Sequence, residues 1–139
     1  MTELCIMIPG KPIAKKRPRF ARRGKFVVTY NDQQTEEGKW ILTARQQIKE
    51  KIPPEIPVTL QCRFCMPIPA STSKKKRLSL YYHTKKPDLD NLIKFVKDCL
   101  NGELWHDDGQ VAQLIADKIY TEDPRTELII NYDTDRTTV

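Results

Sequence analysis

The stretch that decides the fold is DLDNLIKFVKDCLNG, residues 88–102. Its apolar side chains recur at the three- and four-residue spacing of a helix with one buried face. They are Leu92, Ile93, Val96 and Leu100. Asp88 or Asp90 is suited to cap the start of such a helix, and Asn101-Gly102 is a typical stop. The stretch therefore predicts one amphipathic helix packed on the rest of the domain.

Short apolar runs on both sides of this helix predict strands. They are ELCIMIPG (3–10), KFVVTY (25–30), VTLQCRFCM (58–66), VAQLIADKIYT (111–121) and ELIINYD (127–133). A second helical pattern runs from about Thr35 to Lys51. The order β-β-α-β-α-β-β predicts one α+β domain over residues 1–139, a mixed or antiparallel sheet with two helices packed on it. The basic segments at 11–25 and 67–87 are expected to be exposed loops.

The charge of the chain is unevenly distributed. Its formal net charge is +6, but residues 1–100 carry 21 Lys and Arg against 9 Asp and Glu, whereas residues 101–139 carry 3 against 9. A basic body favours a polyanionic partner such as nucleic acid. An ordinary basic protein with solvated charges fits these bulk numbers as well, so composition alone does not decide between the two.

Cysteine usage and hydropathy indicate a reduced, cytoplasmic chain. Cys62 and Cys65 form a lone C-x-x-C inside a predicted strand, where a spacing of three residues places the side chains on opposite faces. A shared zinc site is therefore not expected, and the thiols are interpreted as structural. No segment reaches the roughly 20 apolar residues that a membrane span needs, and the N-terminus lacks the basic start of a signal peptide.

Two acidic clusters are candidates for a metal site. Asp88 and Asp90 point to the same side if the segment is extended, and Asp107 and Asp108 follow after the predicted helix. Carboxylates suit Mg²⁺, which needs one or two of them together with water and phosphate oxygens. Helix capping and turn formation explain the same residues without a metal. Lys94 lies four residues after Asp90, where it can form a surface ion pair or contact a phosphate.

In combination, KPDLDNLIKFVKDCLNG (86–102) and WHDDGQV (105–111) resemble the RusA-type Holliday junction resolvases, small endodeoxyribonucleases common on prophages. The resemblance implies a homodimer that nicks four-way DNA junctions in pairs during DNA recombination and repair, using Mg²⁺, with Mn²⁺ as a substitute. It implies catalytic roles for Asp88, Asp90, Asp108 and Lys94. It also implies metal ligation by Asp88, Asp90 and Asp108, with Asp107 as a neighbouring acid of less defined role.

Cations that surround these acids are the candidates for phosphate contacts, because neutralisation of phosphates supplies most sequence-independent affinity for DNA. They are Lys15, Lys16, Arg17, Arg19, Arg22 and Arg23 in the first basic segment, Lys74, Lys75, Lys76 and Arg77 in the second, and Lys85 and Lys86 before the helix. Phe20, Tyr81 and Tyr82 are candidates for stacking on unpaired bases. A non-catalytic module that binds nucleic acid, with the acids as caps and turns, remains the alternative.

Overall fold

The computed structural model describes backbone and side chains for residues 1–16 and 33–135, and the backbone alone for 19–23 and 26–30. In chain order the described elements are strand β1 (Thr2–Pro9), β2 (Arg19–Arg23), β3 (Phe26–Tyr30), helix α1 (Gln34–Arg45), β4 (Val58–Pro67), α2 (Lys74–Arg77), α3 (Leu89–Leu100), β5 (Val111–Thr121) and β6 (Arg125–Tyr132). A single 3₁₀ turn at Asp108–Gln110 directly precedes β5.

Four strands form one mixed sheet in the order β1-β6-β4-β5. β4 pairs with β5 in parallel, and the other two pairs are antiparallel. The parallel pair requires a long crossover, which contains α2 and α3. The predicted α+β class with a mixed sheet is therefore confirmed. The crossover also returns the chain from the end of α3 to the start of β5.

The core lies between one face of the sheet and helices α1 and α3. Phe95 of α3 is buried and meets the ring of Trp40 of α1 edge to face, with ring centroids 6.0 Å apart. Leu60 of β4 and Ile130 of β6 are fully buried beneath the helices. Burying an apolar side chain of this size contributes about 1.5–3 kcal/mol. The same burial fixes α3 in space, and with it the polar residues on its exposed face.

The two basic segments are not simple loops, which corrects the sequence-based expectation. The first contains β2, which pairs with β3 as an antiparallel two-stranded sheet with Arg19 opposite Tyr30. The ladder is formed by backbone N–H and C=O groups, so a stretch rich in charged residues can still form a strand. The second segment contains the short helix α2 and a β-bridge between Tyr82 and Ile119. Helix α1 also ends at Arg45, earlier than the predicted Lys51.

Cys62 and Cys65 lie on opposite faces of β4, as the strand pattern predicted. Cys62 belongs to the core, and its burial raises the pKa of the thiol to about 12. Cys65 is buried on the opposite side of β4, where its Sγ lies 4.0 Å from Oε1 of Glu127. All four cysteines are free thiols. Among the described helices, none is long and apolar enough to cross a membrane.

Candidate active site

Three of the polar side chains singled out in the sequence line one open cavity of about 290 Å³. Asp90 and Lys94 come from successive turns of α3, and Asp108 comes from the 3₁₀ turn before β5. Asp90 and Lys94 share a side because residues four apart are neighbours on a helix surface. Lys97 and Asp98 border the same cavity. The cavity is therefore bordered by three carboxylates and two ammonium groups, which come from two separate parts of the chain.

Asp108 is held in place by a buried tryptophan. The Nε1–H of Trp105 donates a hydrogen bond of 2.9 Å to Oδ1 of Asp108. Trp105 is fully buried, so its indole cannot turn away without leaving the core. Asp108 itself is half-buried. With one carboxylate oxygen engaged by the indole, the orientation of the whole group relative to the cavity is fixed.

The turn that carries Asp108 is anchored by the buried amide of Gln110. Its Oε1 accepts hydrogen bonds from the backbone N–H groups of His106 and Asp107, at 2.8 and 3.1 Å. Its Nε2 donates to the carbonyls of Pro53 and Ile56, at 2.9 and 3.1 Å. One side chain thus satisfies four backbone groups and ties the turn to the segment before β4. A buried polar group of this kind is costly to leave without partners.

Asp88 has a different environment from Asp90. It occupies the N-cap position of α3 in an extended conformation, but its carboxylate does not cap the helix. It accepts two hydrogen bonds from Nζ of Lys86, at 2.8 and 3.0 Å. The hydrogen bond and the charge of Lys86 lower the pKa of Asp88 below its ordinary value. Asp88 is not among the residues that line the cavity of Asp90 and Asp108.

Asp107 faces another side of the turn. It lines a separate cavity of about 470 Å³ together with His106 and Gln110. Its backbone carbonyl accepts a hydrogen bond from the N–H of Gln110 at 3.0 Å, which closes the 3₁₀ turn. Of the four aspartates predicted as ligands, the structure thus brings Asp90 and Asp108 to one cavity and leaves Asp88 and Asp107 outside it.

The donor set at the cavity fits a hard divalent cation. Within the described ranges 1–16 and 33–135, no three His, Cys, Asp or Glu side chains are grouped closely enough to hold a metal ion by themselves. Mg²⁺ does not require such a group, because it retains several waters and is commonly bound by one or two carboxylates and the phosphates of a substrate. Asp90 and Asp108, two of the three carboxylates at the wall of the open cavity, match that requirement.

The predicted DNA-binding cations differ in how exposed they are. Lys74, Lys75 and Lys76 of α2 are exposed, as are Lys85 and Lys86. Arg77 is held by the carbonyl of Thr72 and by Glu122. Arg17 lies outside the described residues, and for Arg19, Arg22 and Arg23 only the backbone of β2 is described. Lys74, Lys75 and Lys76 thus lie on an element separate from the acidic cavity, whereas Lys85 and Lys86 shortly precede α3, which lines it.

Lys15 and Lys16 connect the first basic segment to the helices. Nζ of Lys15 lies 2.9 Å from Glu37 of α1 and 3.2 Å from Asp98 of α3, and only 20% of its side chain is exposed. Lys16 is more exposed and lies 3.7 Å from Glu36. The ammonium group of Lys15 is therefore already paired within the protein, whereas that of Lys16 remains accessible.

Sequence reasoning overlooked two residues that shape the site, Trp105 and Gln110. Both stand in the WHDDGQV stretch, so their position next to an acidic pair was visible. A buried tryptophan needs a partner for its N–H, and a carboxylate three residues away is an available acceptor. The four backbone partners of Gln110 include Pro53 and Ile56, which are more than 50 residues distant in sequence. That part of its role is visible only in the fold.

Comparison with known proteins places this architecture in a family. Residues 9–131 match the model of the family described as endodeoxyribonuclease RusA. The chain is also similar to the uncharacterized protein YqaN of Bacillus subtilis (strain 168), with 33% identity over 128 residues, covering 87% of this chain and 90% of the relative. The family match spans every described element from the end of β1 to β6 and includes both acidic clusters. The chain therefore belongs to the RusA endodeoxyribonuclease family.

Proposed function

We propose that this protein is a Mg²⁺-dependent endodeoxyribonuclease that resolves four-way DNA junctions by paired nicks. The observation that carries the proposal is the cavity in which Asp90, Lys94 and Asp108 meet, in a chain of the RusA endodeoxyribonuclease family. A non-catalytic DNA-binding module would need neither the convergence of two carboxylates from separate elements nor a lysine beside them. Mn²⁺ has similar ligand preferences and is expected to substitute for Mg²⁺.

Within this proposal the residues of the cavity have separate roles. Asp90 and Asp108 hold the metal ion, and Trp105 keeps Asp108 oriented. A metal ion bound there would supply a water of lowered pKa and positive charge for the departing oxygen. Lys94 contacts the scissile phosphate and stabilises the negative charge that develops on it. Asp107 keeps the turn in shape through its backbone hydrogen bond.

Asp88 joins the site when DNA arrives. In the free protein its carboxylate is engaged by Lys86, whose side chain is 84% exposed. A phosphate of the substrate competes for that ammonium group, because Lys and phosphate form strong charge-assisted hydrogen bonds. Its carboxylate would then be free of Lys86 and could serve as a further oxygen donor beside Asp90 when a metal ion is bound.

The proposed function includes a homodimeric assembly. A homodimer with two-fold symmetry would present two such cavities, which suits two nicks on a symmetric junction. The exposed rings of Tyr81 and Tyr82, in edge-to-face contact at 4.7 Å, are available to stack on unpaired bases. DNA recombination and repair in the cytoplasm of a bacterial or prophage-carrying cell is the corresponding biological role.

The experiment that tests the proposed function compares DNA structures. Purified protein is incubated with a labelled four-way junction, and in parallel with linear duplex of the same sequences, in Mg²⁺, Mn²⁺ or EDTA. We expect paired, symmetric cuts in the junction with either metal, little cutting of duplex, and none in EDTA. Equal cutting of duplex would contradict junction selectivity, and binding without cutting under every condition would favour the non-catalytic module.

Removing the indole N–H that orients Asp108 is expected to slow cleavage. Trp105→Phe keeps an aromatic ring in the core but loses the 2.9 Å hydrogen bond. Groups that orient a metal ligand typically contribute about 10- to 100-fold to affinity or activity. We expect the rate of junction cleavage to fall about tenfold at subsaturating Mg²⁺ and to recover in part at high Mg²⁺.

Trp40→Phe is the matched control, since Trp40 is also buried but packs on Phe95 and not on Asp108. It removes the same volume from the core and is expected to leave the Mg²⁺ dependence unchanged. An identical loss in both variants would assign the effect to packing and would contradict the orienting role of Trp105.

The lysines of α2 are expected to increase DNA affinity through their charge. Simultaneous Lys74→Ala, Lys75→Ala and Lys76→Ala changes should weaken binding of junction and duplex alike, because phosphate contacts carry no sequence or branch information. The slope of log K against log salt should fall by about 0.9 for each phosphate that a lysine no longer neutralises. Binding is measured at several salt concentrations, with Lys49→Ala as the control lysine. An unchanged slope would remove α2 from the interface.

A further inference from the structure

The segment between α2 and α3 runs along the open edge of the sheet. We call residues 81–87 the edge segment. Tyr82 pairs antiparallel with Ile119 of β5, and the N–H of Tyr120 donates to the carbonyl of Tyr81 at 2.7 Å. The N–H of His83 donates to the carbonyl of Lys118 at 3.0 Å. Because β5 is an edge strand, these bonds use backbone groups that would otherwise lack a strand partner.

The side chain of Lys118 continues this attachment beyond the backbone pairing. Its Nζ donates to the carbonyl oxygens of Lys85 and Pro87, each at 2.7 Å. Lys118 is half-buried, unlike the lysines of α2. Together with its backbone carbonyl, this one residue contacts the edge segment at three points. Its ammonium group is occupied by protein oxygens and is therefore not a simple surface cation for DNA.

The last of these contacts is adjacent to the start of α3. The carbonyl of Asp88 accepts the first hydrogen bonds of the helix, from the N–H groups of Asn91 and Leu92 at 3.2 Å each. Asp88 follows Pro87 directly, so the clamp on the Pro87 carbonyl determines the direction in which the chain enters the helix. The first turn of α3 carries Asp90.

We propose that Lys118 is a positioning residue of the active site, which clamps the edge segment to β5 so that the first turn of α3 holds Asp90 at the cavity it shares with Asp108. The expected effect of Lys118 on metal binding rests on the proposed function, whereas the clamp itself consists only of contacts within the protein. Nothing in the sequence pattern distinguishes Lys118 from the other lysines. Its role is inferred from the two carbonyls that it binds at the sheet edge.

A positioning role and a purely electrostatic role for Lys118 predict opposite changes in metal affinity when the lysine is removed. Lys86 has the largest effect on the pKa of Asp88 and lowers it. The positive charge of Lys118 lowers the same pKa further. A cation near a Mg²⁺ site repels the metal, so removal of charge alone would tighten metal binding. A positioning role predicts that removal weakens it, because the ligands are no longer held together. The sign of the change separates the two.

The test uses the full-length protein with Lys118→Met, Lys118→Arg and the exposed control Lys49→Met. Hydrogen exchange of a peptide covering residues 81–92 reports the clamp, and Mn²⁺ binding followed by electron paramagnetic resonance reports the site. We expect Lys118→Met to speed exchange in this peptide while the core strands stay protected, and to weaken Mn²⁺ binding about tenfold. Arginine, which also donates to two carbonyls, should restore both, and Lys49→Met should change neither.

Unchanged exchange in Lys118→Met, or tighter Mn²⁺ binding, would overturn the positioning role. If that variant does not fold, Lys118→Ala removes the donors without adding a large apolar side chain and should show the same local rise in exchange; protection equal to wild type would count against the clamp. Exchange could be faster in Lys118→Met while the wild-type protein shows no Mn²⁺ binding that depends on Asp90. That result would uphold the clamp and contradict the metal site. Unchanged exchange with Asp90-dependent Mn²⁺ binding would do the reverse.

Discussion

Asp90→Asn and Asp108→Asn are each expected to abolish most junction cleavage while junction binding persists or tightens. Each change replaces a carboxylate at the wall of the cavity with a neutral amide of the same size. Loss of one preorganised electrostatic interaction commonly lowers a rate about 10²–10³-fold, and loss of a metal ligand should do at least as much. Binding should not suffer, because one negative charge fewer faces the phosphates.

The measurement is single-turnover cleavage of a labelled four-way junction in Mg²⁺, together with binding of the same junction in Ca²⁺. Asp123→Asn is the matched control, since Asp123 lies in the β5–β6 turn with 90% of its side chain exposed. It removes the same charge from the protein and should cleave at the wild-type rate. Full activity in Asp90→Asn, or an equal loss in Asp123→Asn, would contradict the assigned site.

Gln110→Met is expected to destabilise the fold and to reduce cleavage at the same time. The change leaves the N–H groups of His106 and Asp107 and the carbonyls of Pro53 and Ile56 without their amide partner. Each buried group left unsatisfied costs about 1–3 kcal/mol, and partial access of water at the turn reduces the total. We expect the free energy of unfolding to fall by about 2–4 kcal/mol.

Urea unfolding measures the stability, and Gln113→Met is the control of the same residue type. Gln113 is exposed on β5, and its Oε1 accepts a hydrogen bond from Thr59 at 3.1 Å. We expect Gln113→Met to change the free energy of unfolding by less than about 0.5 kcal/mol. In the folded fraction of Gln110→Met, cleavage should also be reduced because Asp108 is displaced. Equal stability of the two variants would show that Gln110 does not anchor the turn.

The regular elements were predictable because their patterns are local. Helix α3 has its apolar residues at helical spacing, and Leu92, Val96 and Leu100 are indeed buried. The strand order was not accessible in the same way, since β4 lies between β5 and β6 although it precedes both in the chain. Strand β2 was not predicted, because four of its five residues are charged or small and give no apolar alternation.

The candidate site was only partly predictable. The sequence predicted that Asp88 and Asp90 share a side, which holds for an extended chain. Helix α3 begins at Leu89, between the two residues, and only Asp90 lines the cavity together with Asp108. The partner of Asp88 is the neighbouring Lys86, a local contact that competes with metal binding. The contacts of Trp105 and Lys118 depend on how distant segments pack, and no spacing rule contains them.

Asp90 and Asp108 are proposed to bind a divalent metal ion together, and every role assigned to the cavity depends on this. The most direct test titrates ¹⁵N-labelled protein with Mn²⁺ and follows paramagnetic broadening of the backbone amide signals. We expect broadening to begin at residues 90–94 and 108–110 together, at substoichiometric Mn²⁺, and to disappear from both stretches in Asp90→Asn. Broadening at only one of these stretches, or first in the acidic residues 133–135, would contradict the shared metal site.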